Sequence, residues 1–226
     1  MPRSTRRAFL VSSATLAAAN SCRATRKSSL DSSPRSDGAQ EELDVQEFIE
    51  DVKRANAEGG QPAVHELLER TVSDPRSVVL GIGEPREAGI HPVYRSAEFT
   101  ILNVVWAPLM ILLPHEHRMW ATIGIYGGRE DNILWERTGS LVEASGASSL
   151  SEKEVFSLPD DVVHSVTNPI ERLTGAIHIY GGDFFAVARS EWDAETLREQ
   201  PCDIQRVMRL FQEANRRFEA GKTGGG

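Results

Sequence analysis

The sequence predicts a mainly β barrel with helical flanks, and three observations lead there. Short runs rich in β-branched and aromatic residues succeed one another at Ser77–Ile82, Gly89–Arg95, Phe99–Trp106, Leu109–His117, Trp120–Tyr126, Ile133–Thr138, Lys153–Leu158, Val162–Thr167 and Gly175–Phe185. Turn formers fill many of the gaps, as at Gly127-Gly128, Asp131-Asn132, Pro159-Asp160 and Asn168-Pro169, and many short strands at this spacing close into a sandwich or barrel. Apolar residues take up helical period at the two ends. Leu43, Val45, Phe48, Ile49 and Val52 give one face of a helix over 42–58. A second, short helix is expected over 62–72, with Val64, Leu67 and Leu68 inward, and a closing helix over 202–219, with Ile204, Val207, Met208, Leu210 and Phe211 inward.

The chain has 226 residues, 40% of them apolar, which suits one domain with appendages and a core that needs no disulfide or metal staple. Its formal net charge of -8 excludes a nucleic-acid or anionic-membrane binder, because counterion release requires clustered Lys and Arg. The charge is uneven. Residues 1–27 hold Arg3, Arg6, Arg7, Arg23, Arg26, Lys27 and no acid, so the rest of the chain carries -14. Arg6-Arg7-Ala8-Phe9-Leu10 ahead of a short Ala/Ser/Thr-rich apolar stretch resembles a twin-arginine export signal over residues 1–22. That stretch is too short for a stable membrane span, which needs about 20 apolar residues. The alternative is a basic tail on a cytoplasmic protein. Cys22 follows Ala19-Asn20-Ser21, a poor match to a lipid-attachment box, so a lipid anchor there is the weaker variant of export. Residues 23–41 are polar and rich in Ser and Arg and read as a linker. Residues 42–220 form the domain, and the glycine-rich end, 221–226, reads as a tail. With two cysteines, Cys22 and Cys202, no disulfide framework exists.

Four histidines of the strand region are the candidates: His115, His117, His164 and His178. His115 and His117 are two apart, so on a strand they share a face. With His164 across a barrel they make a facial set of imidazoles. The alternative for each is a hydrogen-bonded core or surface histidine. His65, among Leu67, Leu68 and acidic neighbours, reads as a surface helix residue.

The segments around these histidines resemble the two halves of the cupin signature. His115-Glu116-His117 stands for the first, and Pro159, His164 and Asn168 hold the spacing of the second, with Asp161 where glycine is usual. The resemblance implies a double-stranded β-helix of the RmlC-like jelly-roll type. A cupin carries a glutamate three or four residues after the second histidine, and here those positions are Ala121 and Thr122; Glu130 and Glu136 lack the spacing. That absence is similar to the cysteine dioxygenase family and its bacterial 3-mercaptopropionate dioxygenase branch, which hold ferrous iron with three neutral histidines. The likeness spans about residues 94–189, with Trp106-Ala107-Pro108 before the ligand strand and Trp120, Gly124, Gly128 and Glu130 after it.

The resemblance implies Fe2+ on His115, His117 and His164, and a small carboxylate-bearing thiol and O2 as the reacting partners. It also implies a relay beside the metal. The family's Ser-x-His-x-Tyr is here Ala176, His178 and Tyr180, so the relay is reduced to its last two members and its outer support is missing. Arg189, nine residues after Tyr180, matches the carboxylate-binding arginine of the bacterial branch, and Arg95 resembles that of the animal branch; a guanidinium fork suits a carboxylate by donating two parallel hydrogen bonds. The animal-type crosslinking cysteine is Thr122 here, which excludes that crosslink. Leu109 and Leu112, in place of the family's Gly and Thr, imply an altered entrance. The competing functions are a metal-dependent cupin with a non-thiol substrate and a non-catalytic ligand-binding cupin.

Overall fold

The computed structural model describes residues 41–223. The predicted export signal over 1–22, Cys22 and all but the last residue of the predicted linker lie outside the described residues. The first helix, α1 (Val45–Val72), is capped by Asp44, whose carboxylate accepts from the backbone N–H of Gln46 and Glu47. The two helices expected over 42–58 and 62–72 are this one element, kinked where Gly60 takes φ 59° ahead of Pro62. Proline removes one helical hydrogen bond, and glycine beside it bears the left-handed φ without strain. At the kink the Gln61 amide donates to Ala121 O and Leu158 O, both at 2.9 Å, and ties the helix to the barrel.

Ser77–Ile82, expected as a strand, belongs to α2 (Pro75–Ile82). Asp74 accepts from the Ser77 N–H, and Pro75 stands in the first turn, where its missing N–H costs nothing. The short apolar run carries no period that separates strand from helix; the cap and the proline decide.

Eleven strands follow: β1 (Gly89–Arg95), β2 (Thr100–Trp106), β3 (Ile111–Glu116), β4 (Ala121–Gly127), β5 (Arg129–Thr138), β6 (Leu141–Ser151), β7 (Val155–Leu158), β8 (Val163–Thr167), β9 (Thr174–Tyr180), β10 (Ser190–Trp192) and β11 (Glu199–Pro201). The chain closes with α3 (Ile204–Thr223), which enters the predicted tail by three residues. The central pairings are nested. β5 pairs with β6, β4 with β7, β3 with β8 and β2 with β9, all antiparallel. A two-stranded ribbon folded at the β5–β6 hairpin is thus wound upon itself, its turns falling alternately in a sheet ordered β1-β2-β9-β4-β7 and one ordered β11-β10-β3-β8-β5-β6. That is a double-stranded β-helix, the fold expected.

Two apolar layers hold it. Inside the barrel, Leu102, Val104, Ile123, Ile125 and Val166 pack with Val207 and Phe211 of α3. On the outer face of the first sheet, Ile101, Tyr126, Ile177 and Ile179 meet Phe48, Leu68 and Val72 of α1. β9 is buried on both faces, between the cavity and α1, and this accounts for its unbroken burial. α1 lies so close to β4 that a Cβ at Gly124 would stand 2.7 Å from Leu68 Cγ and 3.0 Å from Val72 Cγ1. Gly124→Ala is therefore expected to cost about 1–3 kcal/mol of stability by overpacking while leaving metal binding intact, because position 124 faces the helix and not the cavity. Urea denaturation with a parallel metal titration checks both halves.

Candidate metal centre

The pairing of β3 with β8 builds the centre. Leu112 lies opposite Val166 and His115 opposite His164, so three steps on β3 match two on β8. The extra residue is a β-bulge across Leu113 and Pro114, a place where a strand tolerates the missing proline N–H. Strict alternation would send Leu112 and His115 to opposite faces; with the bulge both line the cavity. His117 follows directly after β3. Between the two histidines, Glu116 is buried and turned the other way, accepting from Arg118 Nε at 2.6 Å, from the Ser190 N–H at 2.9 Å and from Arg137. Burial raises its pKa, but the Arg118 and Ser190 hydrogen bonds and the Arg137 charge outweigh that and hold the carboxyl below its usual range. Arg118 takes φ 56°, a left-handed turn that costs a non-glycine residue about 1–2 kcal/mol; the Glu116 ion pair holds it there.

Three ring nitrogens converge. His117 Nε2 lies 3.2 Å from His115 Nε2 and 3.3 Å from His164 Nε2. Ligands about 2.1 Å from one metal ion stand about 3.0 Å apart when octahedral and about 3.4 Å apart when tetrahedral, so the spacing fits a shared ion. The outer nitrogens of two rings face acceptors: His115 Nδ1 is 2.8 Å from Leu113 O and His164 Nδ1 is 2.7 Å from Asn132 Oδ1. A ring that donates from Nδ1 keeps the Nε2 lone pair for the cavity. His117 Nδ1 is buried with no hydrogen-bond partner among the described residues. Burial, above all, pushes His115 down to about 4, helped by the charges of Arg189 and His178 and opposed by the Leu113 carbonyl. Burial and the neighbouring histidines lower His117 and His164 well below the ordinary value. The three rings are neutral at pH 7, as metal ligands must be, and they are the group of described residues able to hold a metal.

The structure brings most of the other predicted residues to the same cavity. Tyr180 and His178 line it from β9, with His178 Nδ1 3.1 Å from the Tyr180 hydroxyl. Burial, partly offset by Arg189, pushes the Tyr180 phenol up, so it stays a hydrogen-bond donor. Arg189 reaches the cavity with its guanidinium 3.9 Å above the Phe184 ring, donates to the Phe184 carbonyl, and forms no ion pair with a carboxylate among the described residues. Arg95, the second choice for a substrate carboxylate, is not brought in. Asp183 holds its fork through Nε at 2.8 Å and NH2 at 3.0 Å on the half-exposed outside of β1. Ala176 packs in the barrel core where the relay serine was expected. Thr122 turns toward Ser157, and the residue opposite Tyr180 is Ala121.

Two residues went unassigned in the sequence. Asn132 and Glu130 stand two apart on β5, both buried and polar. Asn132 Nδ2 donates to Glu130 Oε1 at 3.0 Å, Trp106 Nε1 donates to Glu130 Oε2 at 2.7 Å, and His178 Nε2 is 3.5 Å from Glu130 Oε2. The signal available was two polar residues at period two, Glu130 and Asn132, in line with Leu134 on one face of the strand. Glu136 lies exposed further along β5. Asn168, placed by its motif, is structural: its amide donates to the carbonyls of Trp106, Ala107 and Arg172, pinning the turn that leads into the ligand strand.

No protein-family profile matches the chain. Its structural neighbours are RmlC-like cupins. They include an RmlC-like cupin family protein with a double-stranded β-helix fold from Methanocaldococcus jannaschii, at 11% identity and TM-score 0.39 over 45% of this chain and 86% of that one. A protein with a double-stranded β-helix domain from Klebsiella pneumoniae matches at 12% identity and TM-score 0.37, over 44% and 78%. Oxalate decarboxylase from Bacillus subtilis matches at 15% identity and TM-score 0.34, over 40% of this chain and only 22% of its own length. The fold assignment itself stands on the nested strand pairings.

The depressed histidines set a pH dependence in the metal-free protein. Unfolded histidine titrates near 6.5, so below that pH the unfolded chain binds protons that the folded cavity refuses. Stability is therefore full above about pH 6.5 and is lost as pH falls toward the folded value of about 4 for His115. From pH 7 to 5, His115 alone removes about 2 kcal/mol, which lowers the urea midpoint by about 1 M. His115→Phe is expected to flatten the profile; an equally steep one would contradict the assignment.

Proposed function

We propose that this protein is a non-haem iron thiol dioxygenase that converts a small carboxylate-bearing thiol of the 3-mercaptopropionate or cysteine type, with O2, to the sulfinate. The observation that carries the reading is one cavity in which, among the described residues, three neutral imidazoles group without a carboxylate and the Arg189 guanidinium forms no ion pair. The resemblance over residues 94–189 supplies the reaction type. A ferrous ion held by His115, His117 and His164 would supply a centre on which thiolate sulfur and dioxygen meet and exchange electrons.

The chain's own residues do the rest. Arg189 pairs with the substrate carboxylate and fixes the distance from that end to the sulfur; in a cavity walled by Leu102, Val104, Phe184, Ile204 and Val207 the pair is poorly screened and strong. Tyr180 donates its hydroxyl to the bound substrate or oxygen, and His178 holds the phenol in place. The apolar wall and α3, whose Phe211 stacks on Trp106 with centroids 5.4 Å apart, exclude water from the reacting sulfur. One mole of O2 adds to one mole of thiol, both oxygens end on sulfur, and the thiol proton is released. Export by the twin-arginine route is part of the proposal, because that route carries folded proteins and a folded domain can take its metal before crossing.

Anaerobic loading with Fe(II), followed by O2 uptake with 3-mercaptopropionate, cysteine and cysteamine, tests the reading. The expected result is one O2 consumed per thiol with sulfinate as product, and cysteamine the poorest substrate. No thiol-dependent uptake by the iron-loaded protein would overturn it. Arg189→Gln is expected to raise KM for the carboxylate thiols about 10- to 100-fold, the worth of a charged hydrogen bond, with a smaller change in kcat. A wild-type preference for cysteamine would remove Arg189 from substrate binding.

A further inference from the structure

Glu130 is fully buried, and among the described residues no Lys or Arg forms an ion pair with it. A buried carboxyl group needs hydrogen-bond partners at its oxygens. Two donors reach them, Trp106 Nε1 on Oε2 and Asn132 Nδ2 on Oε1, while His178 Nε2 stands 3.5 Å from Oε2 with no hydrogen-bond partner among the described residues.

The Asn132 contact fixes a proton elsewhere. Its NH2 group donates to Glu130, so its Oδ1 faces His164. His164 Nδ1 then has to carry the proton, and His164 Nε2 is left bare toward the cavity.

We propose that Glu130 is a positioning residue of this centre, setting the tautomer of His164 through Asn132. The proposal rests on the metal-binding half of the function given above and not on the identity of the substrate.

Glu130→Gln tests this, because it keeps the shape but offers one acceptor and one donor group where two donors point. With its oxygen toward Trp106, its NH2 group meets Asn132. Asn132 must then turn over, face His164 Nδ1 with its own NH2, and drive the His164 proton to Nε2. Affinity for Co(II), and for Fe(II) without oxygen, is expected to fall about 10- to 100-fold. The ring 15N signals of the metal-free protein are expected to show His164 moving from the Nδ1–H to the Nε2–H form. Adding Asn132→Asp restores the acceptor for His164, since the new carboxylate accepts both from the amide introduced at position 130 and from the ring. The double variant is expected to return to within about threefold of wild type.

Unchanged affinity and tautomers in Glu130→Gln, or a double variant as weak as the single one, would overturn the proposal. Should the variants fail to fold, the wild-type spectrum decides. His164 with Nδ1–H supports it, and His164 with Nε2–H overturns it. These titrations contain no thiol, so a protein inert toward thiols would lose the dioxygenase reading while this test still reported.

Discussion

The antiparallel pairing of β3 with β8 is the constraint on which the centre depends. It sets His115 directly across from His164, and the bulge at Leu113 and Pro114 turns the strand by one residue so that both point into the barrel. His117 joins them because Glu116, between the two ligands, is locked on the other side by Arg118, Arg137 and Ser190. The ribbon winding makes this pairing rigid. β3 is also bridged to β10 and β8 is paired with β5, so neither ligand strand can shift without breaking a second ladder.

Closure of the barrel then governs the chemistry of what it encloses. Burial disfavours charge, so the three imidazoles are neutral and the Tyr180 phenol keeps its proton. In the same surroundings Arg189 is a fixed positive charge with an aromatic face against it and no carboxylate partner among the described residues.

Much of this was legible in the sequence. Strands at Gly89–Arg95, Phe99–Trp106 and Val162–Thr167 carry alternating or continuous apolar residues and fall within a residue of their observed bounds. The His-x-His and the distant His164 were visible as a set, and the period of two tied His178 to Tyr180. β6 was not visible, since Leu141–Ser151 is made mostly of Ala, Ser, Glu and Gly and is exposed along most of its length. Nor were β10 and β11, each three residues long. Ser77–Ile82 misled because a short apolar run is strand-like by composition, while the helix is set by Asp74 and Pro75 just before it.

The sequence by itself determined the class of barrel and set out the three candidate ligand histidines and the pair on β9, because strand period and residue spacing are local properties written along the chain. The tertiary structure separated the two arginines. Arg95 and Arg189 are alike in sequence, but one meets Asp183 outside the barrel and the other enters the cavity. It alone brought Glu130 and Asn132 behind His164 and His178, joining β5 to β8 and β9. The hydrogen bond between residues 32 positions apart and the approach of His178 to Glu130 across 48 depend on register across a closed sheet, and register is set by how the ribbon winds, which no single segment encodes.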